Sequence, residues 1–196
     1  MGKIKYIKDI RGFFKKNIIV DLDSLKKFIL QQNGNEKYIY LIINQMIKKR
    51  EINRITKGYY SIRKDPIITV FSFKPSYIGL QSALSIHNLW EQETIPIIIT
   101  TKKIRQGIRI INQNNISLHR ILPKYFFGII YVKEGDFYVP VSDIEKTFID
   151  LIYYRQRLDK ELLKIFRKKI DYTKLKSYIK EYPKRFSSKV INIIEK

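Results

Sequence analysis

The side chains best suited to chemistry crowd into one stretch, Gly34 to Ile62, which holds Lys37, Tyr38, Tyr40, Asn44, Gln45, Lys48, Lys49, Arg54 and Lys57. An amide such as Asn44 or Gln45 can read adenine through a paired donor and acceptor, while lysine and arginine suit phosphate or guanine. Tyrosines at 38 and 40 can donate to phosphate or pack on a sugar. Together they form a candidate duplex-DNA interface. Other chemistry finds few residues. The chain has no cysteine, which excludes disulfides, thiolate zinc sites and thiol nucleophiles. His87 and His119 are its two histidines and sit in no HExxH or HxH spacing, so both are expected to be structural. Glu145 and Asp150 are five positions apart, about 140° around a helix, and so do not form a carboxylate pair. Asp143, Glu145 and Lys146 have the wrong spacing for a metal-dependent nuclease, and Glu145 and Lys146 are expected to cap or bridge their helix. Gly107 and Gly128 stand alone, so no phosphate-cradling loop is expected. No catalytic residue, metal or cofactor is assigned.

The interface stretch must be positioned by a helix and a hairpin. Ile39, Ile42, Ile43, Met46 and Ile47 recur at helical spacing, which predicts a helix from Asn35 to about Arg50 with those residues inward. Lys37, Tyr40, Leu41, Asn44 and Lys48 then face outward, with Tyr38 and Gln45 beside them. Ile52, Ile55 and Tyr59-Tyr60-Ser61-Ile62 alternate like two short strands, with Asn53, Arg54, Thr56 and Lys57 near their tip. Gly58 supplies the positive φ of a tight turn. Upstream, Ile4, Ile7, Ile10, Phe13 and Phe14 mark a first helix over residues 3–16. Asn17–Val20 reads as a link or a strand stub against the hairpin. A second helix capped by Asp21 or Asp23 runs to Gln32, with Leu22, Leu25, Phe28 and Ile29 inward, and Asn33-Gly34 forms a turn. Three helices and a basic hairpin make a winged helix-turn-helix, residues 1–66, with the third helix as groove reader.

Pro66 ends that unit. Residues 67–196 are expected to form an α/β domain with a small mixed sheet and a C-terminal helical bundle, so the whole chain is α+β. Ile67–Phe73 is left open as strand or short helix. A helix is expected from Ser76 or Tyr77 to Leu89, then strands at Ile95–Thr101, Ile108–Ile111 and Ile116–Leu122. Asn112–Asn115 turns between the last two. Glu134-Gly135-Asp136 joins a hairpin of Ile129–Lys133 and Phe137–Val141. Helices follow from Ser142 or Asp143 to Tyr154, and over Leu158–Lys169, Asp171–Glu181 and Ser187–Glu195. In the last three, Leu162, Leu163, Phe166, Leu175, Tyr178, Ile179 and Ile191 supply the inner face.

Charge supports a polyanionic partner. There are 39 Lys+Arg against 18 Asp+Glu, a net +21. The excess lies at the two ends, residues 1–66 and 155–196, around a nearly neutral middle. The basic end, 155–196, reads equally as a clamp on flanking nucleic acid or as the solvated face of a bundle. Lysines interrupt residues 1–20, so no signal peptide is expected, and apolar runs such as Ile95–Ile99 are too short to cross a bilayer. A soluble, cytoplasmic protein is expected.

Four stretches carry a family resemblance. Met46–Ile55 through Gly58-Tyr59-Tyr60, Tyr77–Leu84 followed by His87-Asn88-Leu89, Phe126-Phe127-Gly128, and Ser142–Leu151 occur in the order and spacing of the AbiEi-type antitoxins. The chain resembles that family over roughly residues 40–155. Arg50 and Asn88 stand where the family usually has glycine, and Asn88 can adopt the same left-handed conformation. The resemblance implies a transcriptional autorepressor that binds repeats in its own promoter, with self-association on that DNA as a further expectation. It also implies a C-terminal domain that counters a co-encoded nucleotidyltransferase-like toxin in a type IV toxin–antitoxin pair, without requiring a stable complex. The rival readings are a nuclease and a DNA- or RNA-binding protein without operator preference.

Overall fold

A computed structural model describes residues 6–32, 34–92 and 94–195, the side chain of Lys37 excepted. The chain divides into two units, Met1–Ser72 with Ile110–Asn114 and Phe73–Arg109 with Asn115–Lys196. It is α+β, with a three-stranded sheet and a six-stranded mixed sheet.

In the first unit α1 (Ile7–Lys16), β1 (Val20–Asp21), α2 (Leu22–Leu30) and α3 (Glu36–Lys48) precede β2 (Asn53–Thr56) and β3 (Tyr59–Ser61). The helix expected over 3–16 begins at Ile7; Ile4 and Asn33 lie outside the described residues. Asp21 caps α2, accepting Ser24 N at 2.8 Å and Ser24 Oγ at 2.6 Å. One stripe from each helix closes the core: Ile10 and Phe14, Leu25 and Ile29, then Ile39, Ile42, Ile43 and Met46, all at most 2 % exposed. Each such side chain contributes about 1.5–3 kcal/mol by leaving water. The strand stub pairs as expected, Val20 opposite Tyr60, in a sheet ordered β1-β3-β2. Ile52 and Tyr60 join the helical core, so the hairpin is anchored through one face. Its turn holds Gly58 at φ 81°, and a register shift falls between Arg54 and Thr56.

The six-stranded sheet is ordered β6-β7-β5-β4-β9-β8 and belongs to the second unit except at Ile110–Asn114, where β6 ends and β7 begins. Its strands are β4 (Ser76–Ile78), β5 (Ile97–Thr100), β6 (Gly107–Ile111), β7 (Asn114–Arg120), β8 (Ile129–Glu134) and β9 (Phe137–Ser142). Helices α4 (Leu80–Ile86), α5 (Ile144–Tyr153), α6 (Lys160–Lys169), α7 (Tyr172–Ile179) and α8 (Lys184–Glu195) complete the element order. Pro66–Phe73 is a 3-10 helix. One expectation fails. Ser76–Ile78, where the sequence predicts the start of a helix, forms a central strand, antiparallel to β5 and parallel to β9, with all three residues buried. Burial on both faces removes the alternation that would have marked a strand. The hairpins match their turn chemistry: Asn112 and Gln113 both take positive φ, and Gly135-Asp136 closes Glu134 onto Phe137. In α8 the fully buried residues are Val190 and Ile194, with Ile191 only half-buried. They share one core with Phe148, Ile152, Leu162, Phe166, Leu175 and Ile179.

Candidate nucleic-acid interface

Helix α3 and the β2–β3 turn carry the candidate residues, and their burial separates two faces cleanly. Around α3, Tyr40, Leu41, Asn44 and Lys48 fall within about 100° of arc. All four are exposed, Tyr40 at 48 % and Leu41 at 64 %. Lys37 shares that arc by position, but its side chain is outside the described residues. Tyr38 and Gln45 lie off it. Tyr38 packs against the core, and the Gln45 Oε1 is buried without a hydrogen-bond partner among the described residues. Both are only partly exposed, because residues about 90–110° from the centre of a face meet neighbouring chain. Lys49, Arg54 and Lys57 are exposed. Lys26 Nζ stands 5.9 Å from the Tyr40 ring centroid and 3.9 Å from the largely exposed Asp23 carboxylate. Leu41 was the member of this face with no role assigned from sequence; its signal was an apolar residue at an outward helical position.

The end of α3 is fixed by an unusual cap. Arg50 adopts φ 57°, its N–H donates to Ile47 O at 2.9 Å, and Glu51 N donates to Met46 O at 2.9 Å. That is a Schellman ending with arginine where glycine is the common choice. Asn88 at φ 55° ends α4 the same way, with Asn88 N on Ser85 O and Leu89 N on Leu84 O. Glu51 is then gripped by Arg11, whose Nε and Nη2 donate at 2.8 and 2.7 Å. The hydrogen bond from Arg11 holds the Glu51 carboxyl below its ordinary value. Helix α1 is thereby tied to the turn that launches the hairpin.

A second polar cluster, not foreseen, lies in the other unit. Lys146 and Asp150 form an ion pair with no exposed side-chain surface on either partner. Tyr77 Oη donates to Asp150 Oδ2 at 2.7 Å, and Lys146 Nζ reaches Tyr182 Oη at 3.4 Å. Burial pushes the Asp150 carboxyl up and the Lys146 ammonium down, each opposed by the partner's charge. Around them, Lys174 bridges Asp143 and Glu145 at 3.0 and 2.9 Å, and Tyr178 Oη donates to Asp143 at 2.8 Å. Asp143 caps α5 through Lys146 N, and Glu145 accepts Asp171 N where α7 begins. Lys146 thus bridges its own helix as expected, while Glu145 reaches a different one.

Three of the stretches that carry the family resemblance meet here. Tyr77 meets Asp150. Gly128, at φ 66°, packs so closely that an added Cβ would stand 2.8 Å from the Lys146 Cβ. His87 Nε2 donates to the Ser142 carbonyl at 2.7 Å. His119 lies near Ser117 Oγ, 3.1 Å away, and edge-on to Tyr154. These residues hold helices to sheet, and the lysine and carboxylates are spent on one another.

In fold the chain is similar to the crystal structure of the RV2827C protein from Mycobacterium tuberculosis, with a TM-score of 0.61 over 97 % of this chain and 75 % of that one. The two are 9 % identical, so the likeness is one of fold alone. No family model and no curated protein matches the chain. Among the described residues no helix is long and apolar enough to cross a membrane.

Proposed function

We propose that the chain is a sequence-specific DNA-binding repressor, with residues 1–66 working as a winged helix-turn-helix. In this reading α3 enters the major groove and the β2–β3 turn contacts the adjacent backbone. One observation carries it: α3 buries Ile39, Ile42, Ile43 and Met46 to 2 % exposure or less while exposing Tyr40, Leu41, Asn44 and Lys48 together, and the hairpin that follows it in the chain exposes Arg54 and Lys57. A helix of 13 residues is about 20 Å long, enough to lie in the groove. Asn44 reads a base edge; Lys48, Lys49, Arg54 and Lys57 neutralise phosphates.

The resemblance to AbiEi-type antitoxins extends the proposal to autorepression and to countering a nucleotidyltransferase-like toxin from the cytoplasm. The net +21 supports a polyanionic target but names no operator. The test is fluorescence anisotropy with duplexes from the gene's own upstream region, matched scrambled duplexes and RNA of equal length. Binding should be at least tenfold tighter to upstream DNA. Equal affinity for all three would replace the repressor with a non-specific nucleic-acid binder.

A further inference from the structure

The geometry points to Leu41 and Asn44 as a paired reader of adjacent A·T base pairs in the major groove, Leu41 meeting a thymine methyl and Asn44 the adenine N6 and N7. This rests on the DNA-binding reading of α3 and names what that face selects.

Leu41 is 64 % exposed, the most exposed apolar side chain of α3, and the exposed Asn44 side chain beside it has no hydrogen-bond partner among the described residues. Positions three apart on a helix lie with Cβ atoms about 5–6 Å apart, a separation that spans neighbouring base pairs at about 3.4 Å rise. Asparagine matches adenine by donating and accepting at once, and an apolar side chain matches the thymine methyl. Arginine, the usual reader of guanine, does not occur anywhere in α3. Lys48 is in the last turn, one turn farther than Asn44 from the N-terminal end through which such helices contact bases. A protein partner for the same apolar spot is disfavoured by charge. Lys48, Lys49, Arg50, Arg54 and Lys57 are all exposed shortly after Leu41 in the chain, and Glu51, the carboxylate in that stretch, is taken by Arg11.

The test is selection of bound duplexes from a random library by the full chain. The selected site is then resynthesised with deoxyuridine for single thymidines or 7-deazaadenine for single adenines. Wild type should select adjacent A·T pairs. Loss of one thymine methyl should weaken binding about fourfold, and loss of adenine N7 about 5- to 150-fold. Leu41→Ala should become indifferent to the deoxyuridine, and Asn44→Ala to the deaza base, with each variant keeping the other sensitivity. Both positions are exposed, and circular dichroism should show both variants folded. Selection of a site read through G·C pairs, or sensitivities that survive in the matching variants, would overturn the pairing while leaving DNA recognition intact. If Leu41→Ala abolishes self-association in sedimentation and leaves the deoxyuridine effect unchanged, the spot is a contact between copies and the inference falls. Absence of any enriched duplex would remove the repressor reading itself.

Discussion

At the scale of single residues, the same surface divides into side chains that position and side chains that specify. Lys48→Ala or Lys57→Ala should weaken binding to every duplex alike and flatten the log–log salt slope by about one unit. Asn44→Ala should cost about 1–3 kcal/mol on the preferred site and little on random DNA, read as a change in the ratio of the two dissociation constants. Equal losses on both would remove Asn44 from base recognition. The buried pair makes a different demand. Lys146→Ala leaves Asp150 buried with only the Tyr77 hydroxyl, so unfolding free energy should drop by about 3–5 kcal/mol in urea titration. Replacing both members, Lys146→Met with Asp150→Leu, should recover most of that loss, because no uncompensated charge remains.

At the scale of elements, helix ends govern where the reading face stops. Arg50 holds a left-handed conformation that costs a side-chain-bearing residue about 1–2 kcal/mol, and glycine adopts it freely. Arg50→Gly should therefore stabilise the fold by about 1 kcal/mol, after allowing for glycine's greater freedom when unfolded. A lower denaturation midpoint would show that the arginine makes a compensating contact. The Arg11–Glu51 link gives α1 a pH dependence with a definite sign. Glu51 titrates lower in the folded chain than in the unfolded one, so its contribution is present above the unfolded value of about 4.5 and fades as pH falls through the folded one. Glu51→Gln should reduce stability at pH 7, and its difference from wild type should shrink steadily as pH falls below about 4.5. A constant difference across that range would exclude the ion pair as the cause.

At the scale of the whole molecule, charge and fold make separate contributions. A net +21 draws the chain to any polyanion, and phosphate contacts release about 0.9 counterion each from duplex DNA. Specific and random duplexes should show steep salt slopes, with their ratio changing much less than either affinity between 50 and 200 mM salt. Isothermal competition at several salt concentrations measures this directly. A ratio that collapses to one at the higher salt would make the preference an electrostatic artefact.

What the sequence determined by itself was local. Isoleucine spacing set the inward stripes of α1 to α3, aspartates set helix starts, Gly58 and Gly135 set hairpin turns, and Asn88 was legible as a left-handed cap. Those signals lie within a few residues of what they specify, so no partner is needed to read them. Tertiary structure decided the rest. Ser76–Ile78 became a strand because β5 and β9 flank it, against a local pattern that suited helix. Tyr77, Gly128, Lys146, Asp150, Lys174 and Tyr182 form one neighbourhood only because the sheet and α5 to α7 fold over each other. Gln45 turned its carbonyl inward for the same reason. Burial depends on residues distant in the chain, and a one-dimensional period carries no record of them.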